Sequence, residues 1–350
     1  MPIEQLTFLN TTFSKDAVMK ANRRHLIATA VATAAALTAP WLASTANAQA
    51  AYPNKPITMV VSYPAGGDSD SLARLYAEKL TTKLGQTVIV ENRPGASGTI
   101  GNAFVAKAPA DGYTLLFTPN TFSIATLVLK PGSGAAYDAL NDFTPIIQAC
   151  NQSLFMVSSA ASGLTTIKGV VDAAKSNNVK GYGSPGSGSP MHILGEVFNS
   201  AAGVKIPQIP YRGSAPSVID LVGGHIPFIY TTIGSVQQHV SSGKLVVVAV
   251  ADAQRTPLLP NVPTIAEAGY RDVNVGAWQG LMGPKNLSPE IVKTLNTAMN
   301  EILRMPDVIA RMTTLGGIAV GGDPSVLARS NIADNTRYAK IIKDFGIQAD

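Results

Sequence analysis

The residues that offer chemistry in this chain are small and hydroxylated more than ionisable. Residues 181–192 read GYGSPGSGSPMH, and residues 62–74 read SYPAGGDSDSLAR. Stretches of this kind expose backbone N–H groups, and a helix that starts in one adds a field favouring anions. The hydroxyls of Ser62, Ser184, Ser187 and Ser189 add donors. Gly and Ser are also ordinary helix-cap residues, so each stretch reads either as a cap or as an anion cradle. Two such stretches favour the cradle. Residues 181–186 match G-x-G-x-x-G, but Pro185 interrupts the motif and residues 201–207, AAGVKIP, lack the acid that a dinucleotide site needs. No cofactor is expected.

Catalytic alternatives lack a base. Gly67-Asp68-Ser69 resembles the first block of a GDSL-type esterase, with Ser69 as nucleophile, but such enzymes place a histidine in a late Asp-x-x-His. His192, His225 and His239 each lack an aspartate three residues before them. There is no G-x-S-x-G elbow, no phosphate-binding lysine motif and no His/Cys cluster with metal spacing. A hydrolase using Ser69 stands as the alternative to a binding protein that catalyses nothing.

The elements that must position these loops alternate. Strand-like ITMVV (57–61) precedes a helical stretch in which Leu72, Leu75, Tyr76 and Leu80 share one face, with Gly85 as its stop. TVIVE (87–91), a short helix holding Ile100, Phe104 and Val105, and the strand GYTLLFT follow. The order β-α-β-α-β argues for a parallel sheet covered by helices. The pattern restarts after Asp142 with LFMVSS (154–159), a helix at 166–176, the GYGS strand and a helix after 190. It continues with QIPY, a helix near 214–222, IPFIYTT, a helix near 234–242 and KLVVVAVA (244–251). WQGLMGP (278–284) reads as a returning strand, followed by helices near 288–304 and 324–344. Two α/β units are expected, the first completed by the C-terminal helices.

The first fifty residues differ from the rest. Lys20, Arg23 and Arg24 precede the apolar run LIATAVATAAALTAPWLA and the small-residue sites of ANAQA, the order of a secretory signal peptide. Met19 is a possible start, and Arg23-Arg24 is a partial twin-arginine match. Beyond residue 50 the chain holds 23 basic and 20 acidic side chains, a net charge of +3 without Lys/Arg-rich runs, which sets nucleic acid aside. One cysteine, Cys150, makes no internal disulfide, which suits a periplasmic location.

Together, YPNKPITMVVSYPAGGDSDSLARLYAEKL, TVIVENRPGASGTIGNAFVAKAPADGYTLL, YGSPGSGSPMH, IPYRGSAPSVIDLVGGHIPF and LPNVPTIAEAG resemble the Bug (TctC-like) family, the solute receptors of tripartite tricarboxylate transporters, over residues 52–350. The resemblance implies a two-lobed periplasmic binding protein, each lobe a mixed α/β sheet flanked by helices. Lobe 1 takes residues 51–152 and 279–350, lobe 2 residues 153–278. It implies a monomeric receptor for one small carboxylate, with transporter membrane subunits as partners. The implied ligand contacts are Tyr63, Pro64, Ala65, Gly66, Gly67, Asp68 and Asp70 of the first loop, and Ser184, Gly186, Ser187, Gly188, Ser189 and His192 of the second. Asn120 and Tyr211 complete them. The chain departs from the family pattern at Asp68, where a third glycine is common, and at Pro227 and Thr231, where acids are common. Asp68 reads as a helix cap or a ligand contact, His192 and Arg93 as structural, Trp278 as core, and Arg74 as the partner of Glu78 at i+4 spacing.

Overall fold

The computed structural model describes residues 52–128 and 136–347. Residues 1–50, which the sequence reads as a signal peptide, lie outside the described residues. Among the described residues, no helix is long and apolar enough to cross a membrane.

Two sheets form the frame. The first is built from β1 (Ile57–Val61), β2 (Val88–Asn92), β3 (Thr114–Pro119), β4 (Phe143–Gln152), β10 (Ala277–Pro284) and β11 (Gly317–Ala319), in the order β11-β4-β10-β3-β1-β2. Strands β1, β2 and β3 pair in parallel, as the alternation of strands and helices implies. Strand β10 enters antiparallel between β3 and β4, so the sheet is mixed. The second sheet comprises β5 (Phe155–Ser159), β6 (Tyr182–Ser184), β7 (Gln208–Pro210), β8 (Phe228–Thr231) and β9 (Leu245–Val250), in the order β7-β6-β8-β5-β9. The chain passes from first sheet to second between Gln152 and Phe155 and returns between Val250 and Ala277.

Helices cover both sheets. Helix α1 (Asp68–Leu84) buries Leu72, Tyr76 and Leu80 against β1 and ends at Gly85, whose left-handed φ of 65° favours glycine. Helices α2 (Thr99–Ala106) and α3 (Thr121–Val128) follow η-turn and strand ends of the first sheet. Helices α4 (Ile167–Lys175), α5 (Pro190–Ala202), α6 (Ser214–Val222) and α7 (Gln237–Ser241) serve the second, and α8 (Pro289–Ile302), α9 (Pro306–Thr314) and α10 (Pro324–Phe345) close the chain.

The sequence reading passes over β4, β11, α3 and α9. Strand β4 carries Pro145, Gln148, Cys150 and Gln152 among its apolar residues, which breaks the simple alternation; it is held by β10 and β11, 125 or more positions away in the chain. Such tertiary pairing leaves little local trace. In α2, Val105 is buried as the pattern requires, but Ile100 and Phe104 are exposed, and the Phe104 ring lies 3.6 Å from the Arg93 guanidinium.

Candidate functional site

A cavity of about 650 Å³, its opening to solvent included, lies between residues of the two sheets' loops. Its walls are the first turns of four helices: Asp68 and Ser69 of α1, Thr121 of α3, Pro190 and Met191 of α5, and Ser214, Ala215 and Pro216 of α6. Four positive dipole ends converge there, each worth up to about half a charge. Gly67 and Gly213, which precede α1 and α6, lend no side-chain cap to the first-turn amides. Helix α5 is capped by Ser189, whose hydroxyl accepts from the His192 amide at 3.2 Å.

The first loop is anchored from behind. The Asp70 carboxylate accepts from the Gly66 amide (2.9 Å), Arg74 Nε (3.0 Å) and Asn92 Nδ2 (2.9 Å). Asn92 Nδ2 also donates to the Tyr63 carbonyl at 3.0 Å. Burial alone would raise the Asp70 carboxyl, but the bonds from Arg74, Gly66 and Asn92 outweigh it and hold the group below the usual range. Arg74 therefore pairs with Asp70, not with Glu78 as its i+4 spacing suggests. Tyr63, Pro64, Ala65, Gly67 and Asp68 line the cavity, whereas Asp70 lies behind the loop and Gly66 outside the lining.

Asp68 is not the helix cap. Gly67 holds that position, and the Asp68 carboxylate instead accepts a hydrogen bond from Thr232 Oγ1, just beyond β8 of the second sheet. Asp68 keeps some exposed surface toward the cavity but is surrounded by protein. That burial pushes its carboxyl up to about 6, the Thr232 bond offsetting part of the rise.

Behind it runs a chain of side chains. Ser69 Oγ donates to Gln279 Oε1 at 3.1 Å, and Gln279 Nε2 donates to Gln152 Oε1 at 2.9 Å. With the Ser69 hydroxyl so committed and no histidine among the described residues lining the cavity, the esterase alternative has no support. Cys150, on β4, is fully buried; burial is the main reason its thiol is pushed up to about 12, and the Asp68 charge adds to it.

Asn120 also lines the cavity. Its Nδ2 donates to the Gly276 carbonyl (3.1 Å) and to Asp334 Oδ2 (2.9 Å), which fixes the amide's orientation. Among the described residues its Oδ1 has no hydrogen-bond partner, and the side chain is wholly buried behind the wall. Trp278 is core, its Nε1 donating to the same Asp334 oxygen at 2.8 Å.

The second loop spends its polar groups on itself. Gly186 N donates to Ser184 Oγ, Gly188 N to His192 Nδ1 and Ser189 N to the Gly186 carbonyl, at 3.2–3.3 Å. Ser184 Oγ accepts from Gln208 at 2.6 Å as well. Only Pro185 from that loop, with Pro190 and Met191 of α5, lines the main cavity. Gly186, Ser187 and Tyr211 line a neighbouring opening together with residues 94–98. Tyr211 donates to Asp220 at 2.7 Å. Gly188 has φ of 74°, and a Cβ there would lie 2.4 Å from Val128 Cγ2; the loop's close approach to α3 requires glycine.

Sequence reasoning missed Arg212, Thr121, Gln152, Gln279, Ser214 and Thr232. Arg212 is exposed, borders both openings and has no ion-pair partner among the described residues. It stands beside Tyr211, so a basic residue next to a recognised motif was the available signal. The glutamines lie on strands far apart in sequence and carried none.

A family model described as tripartite tricarboxylate transporter family receptor matches residues 72–347. The chain is 35% identical over 298 residues to protein BugT of Bordetella pertussis, covering 84% of this chain and 90% of that one. Among solved structures it is similar to periplasmic binding protein BugD, at 32% identity and TM-score 0.79, covering 85% of this chain and 100% of that one. It is also similar to the R. palustris protein Rpa4515 with adipate, at 31% identity and TM-score 0.81, covering 85% and 99%.

Proposed function

Because the chain belongs to the tripartite tricarboxylate transporter receptor family, we propose that its cleft binds one small carboxylate and catalyses nothing. The observation that carries this reading is the convergence of four helix N-termini on one cavity, two of them without side-chain caps. Backbone amides there and the Arg212 guanidinium are donors for a carboxylate, each bond to a charged group being worth about 1.5–3 kcal/mol. A few such bonds, after ordering costs, correspond to micromolar binding, about −8 kcal/mol. The adipate named with Rpa4515 is a ligand of this class.

Export of the chain after cleavage near Ala48 or Ala50, action as a monomer and delivery to transporter membrane subunits complete the proposal. The basic–apolar–small order of residues 20–50 supports export. The division into residues 51–152 plus 279–350 and residues 153–278 is part of the same reading, with the two crossings between sheets as hinge.

Ala215→Asp is the direct test. Ala215 is exposed in the first turn of α6 and lines the cavity. A carboxylate there suits the helix dipole, so the melting temperature should hold or rise, while a ligand carboxylate meets a like charge. Isothermal titration against a panel of small carboxylates, amino-substituted members included, and their amides should show acids binding, amides failing, and the variant losing tenfold or more. Equal binding of acids and amides, or an unaffected variant, would overturn the carboxylate reading.

A further inference from the structure

We propose that Asp68 selects ligands that carry an ammonium group beside the carboxylate, so that the cleft is built for an amino-substituted carboxylate and discriminates against the plain diacid. This inference rests on the carboxylate reading above and adds a substrate class to it.

One acceptor in the cavity wall carries the argument. Among the described residues, the Asp68 carboxylate has a single side-chain hydrogen bond, from Thr232, which leaves acceptor capacity unused toward the cavity. A plain dicarboxylate has no donor to fill it, and an ammonium group has three.

Charge points the same way. Asp68 and Arg212 are the only charged side chains among the described residues lining the cavity. A carboxylate held at the helix ends near Arg212 and an ammonium held by Asp68 give each of the two side chains its opposite charge. A dianion without a cationic group would instead set a second carboxylate near Asp68, which disfavours both charges.

Other titratable groups stand around Asp68. Burial holds the Cys150 thiol behind it and the Tyr63 phenol beside it near 12. Asp70, on the same helix, is held low. His192 lies behind the second loop, accepting from Gly188, and Asp334, raised by burial, lies behind Asn120. An Asp68→Asn variant isolates the Asp68 contribution from theirs. As pH falls through about 6, Asp68 takes up a proton, so an ammonium ligand loses its partner while a plain diacid loses its repulsion.

Titration calorimetry with matched pairs, succinate against aspartate and adipate against 2-aminoadipate, tests this between pH 5 and 8. At pH 7.5 the better-fitting amino acid should bind at least tenfold tighter than its plain partner. Affinity for the amino member should fall toward pH 5 while that for the diacid rises. Asp68→Asn should bring the pair within about threefold and flatten the profile of the amino member. Thr232→Val, which removes the donor that favours the ionised form, should move the midpoint upward. Plain diacids binding as tightly as amino acids, or a preference unchanged in Asp68→Asn, overturns the inference and leaves the carboxylate receptor standing. Binding of no acid in the panel overturns both.

Discussion

Asp70 and Asp68 stand two residues apart and have opposite surroundings. Asp70 is buried among three donor groups that favour its charge; Asp68 meets one donor and a cavity. Their type and spacing were legible in the sequence, their division of labour was not, because it depends on Asn92 and Thr232, brought in by β2 and by the segment after β8. Replacing Asp70 with Ala should cost about 2–3 kcal/mol, since the donors of Gly66 and Asn92 are left without their partner. The Asp70 carboxyl is lowered in the folded state, so its contribution is present above the ordinary carboxylate value of about 3.9 and is lost as pH falls through the folded value. Urea unfolding at pH 7 and pH 3 checks this. The gap between wild type and variant should shrink at the lower pH, and an unchanged gap would mean that packing, not charge, holds the loop.

At the scale of elements, the second loop and α5 show what a Gly/Ser pattern leaves open. The pattern located a strand–loop–helix junction correctly: β6 ends at Ser184 and α5 starts at Pro190. It did not tell which glycines face a ligand and which face protein, because that is set by α3, a helix the sequence reading did not include. Gly188→Val therefore acts on the fold. Strain at a φ of 74° and overlap with Val128 and Ala125 should together destabilise by about 2–4 kcal/mol, read as a lower denaturation midpoint even without ligand. A variant as stable as wild type would show that α3 yields to the loop.

Across the whole molecule, the apolar interior does not divide as neatly as the strands do. Ile124 and Val128 of α3 and Tyr338 and Ile342 of α10 pack in one core with Tyr182, Phe198 and Tyr230 from the second sheet's side. Helix α3 follows β3 of the first sheet, so elements from both sides of the cleft share buried surface. Differential scanning calorimetry should show one cooperative transition, and two separated transitions would contradict this shared core. The alternation of strands and helices made both α/β units legible; the shared core was not, because it joins residues 54 to 160 positions apart in the chain.

The one cysteine of the chain has a practical side. Cys150 is sealed inside the first sheet, and its thiol holds its proton far above neutral pH. The thiolate is the reactive form toward electrophiles, so the native molecule is effectively blank to maleimide dyes. A cysteine introduced at the exposed rim, at Ala65 for example, would be the sole labelling position without any background replacement. The receptor is thus already a scaffold for a single-dye optical sensor whose signal follows the occupancy of its cleft.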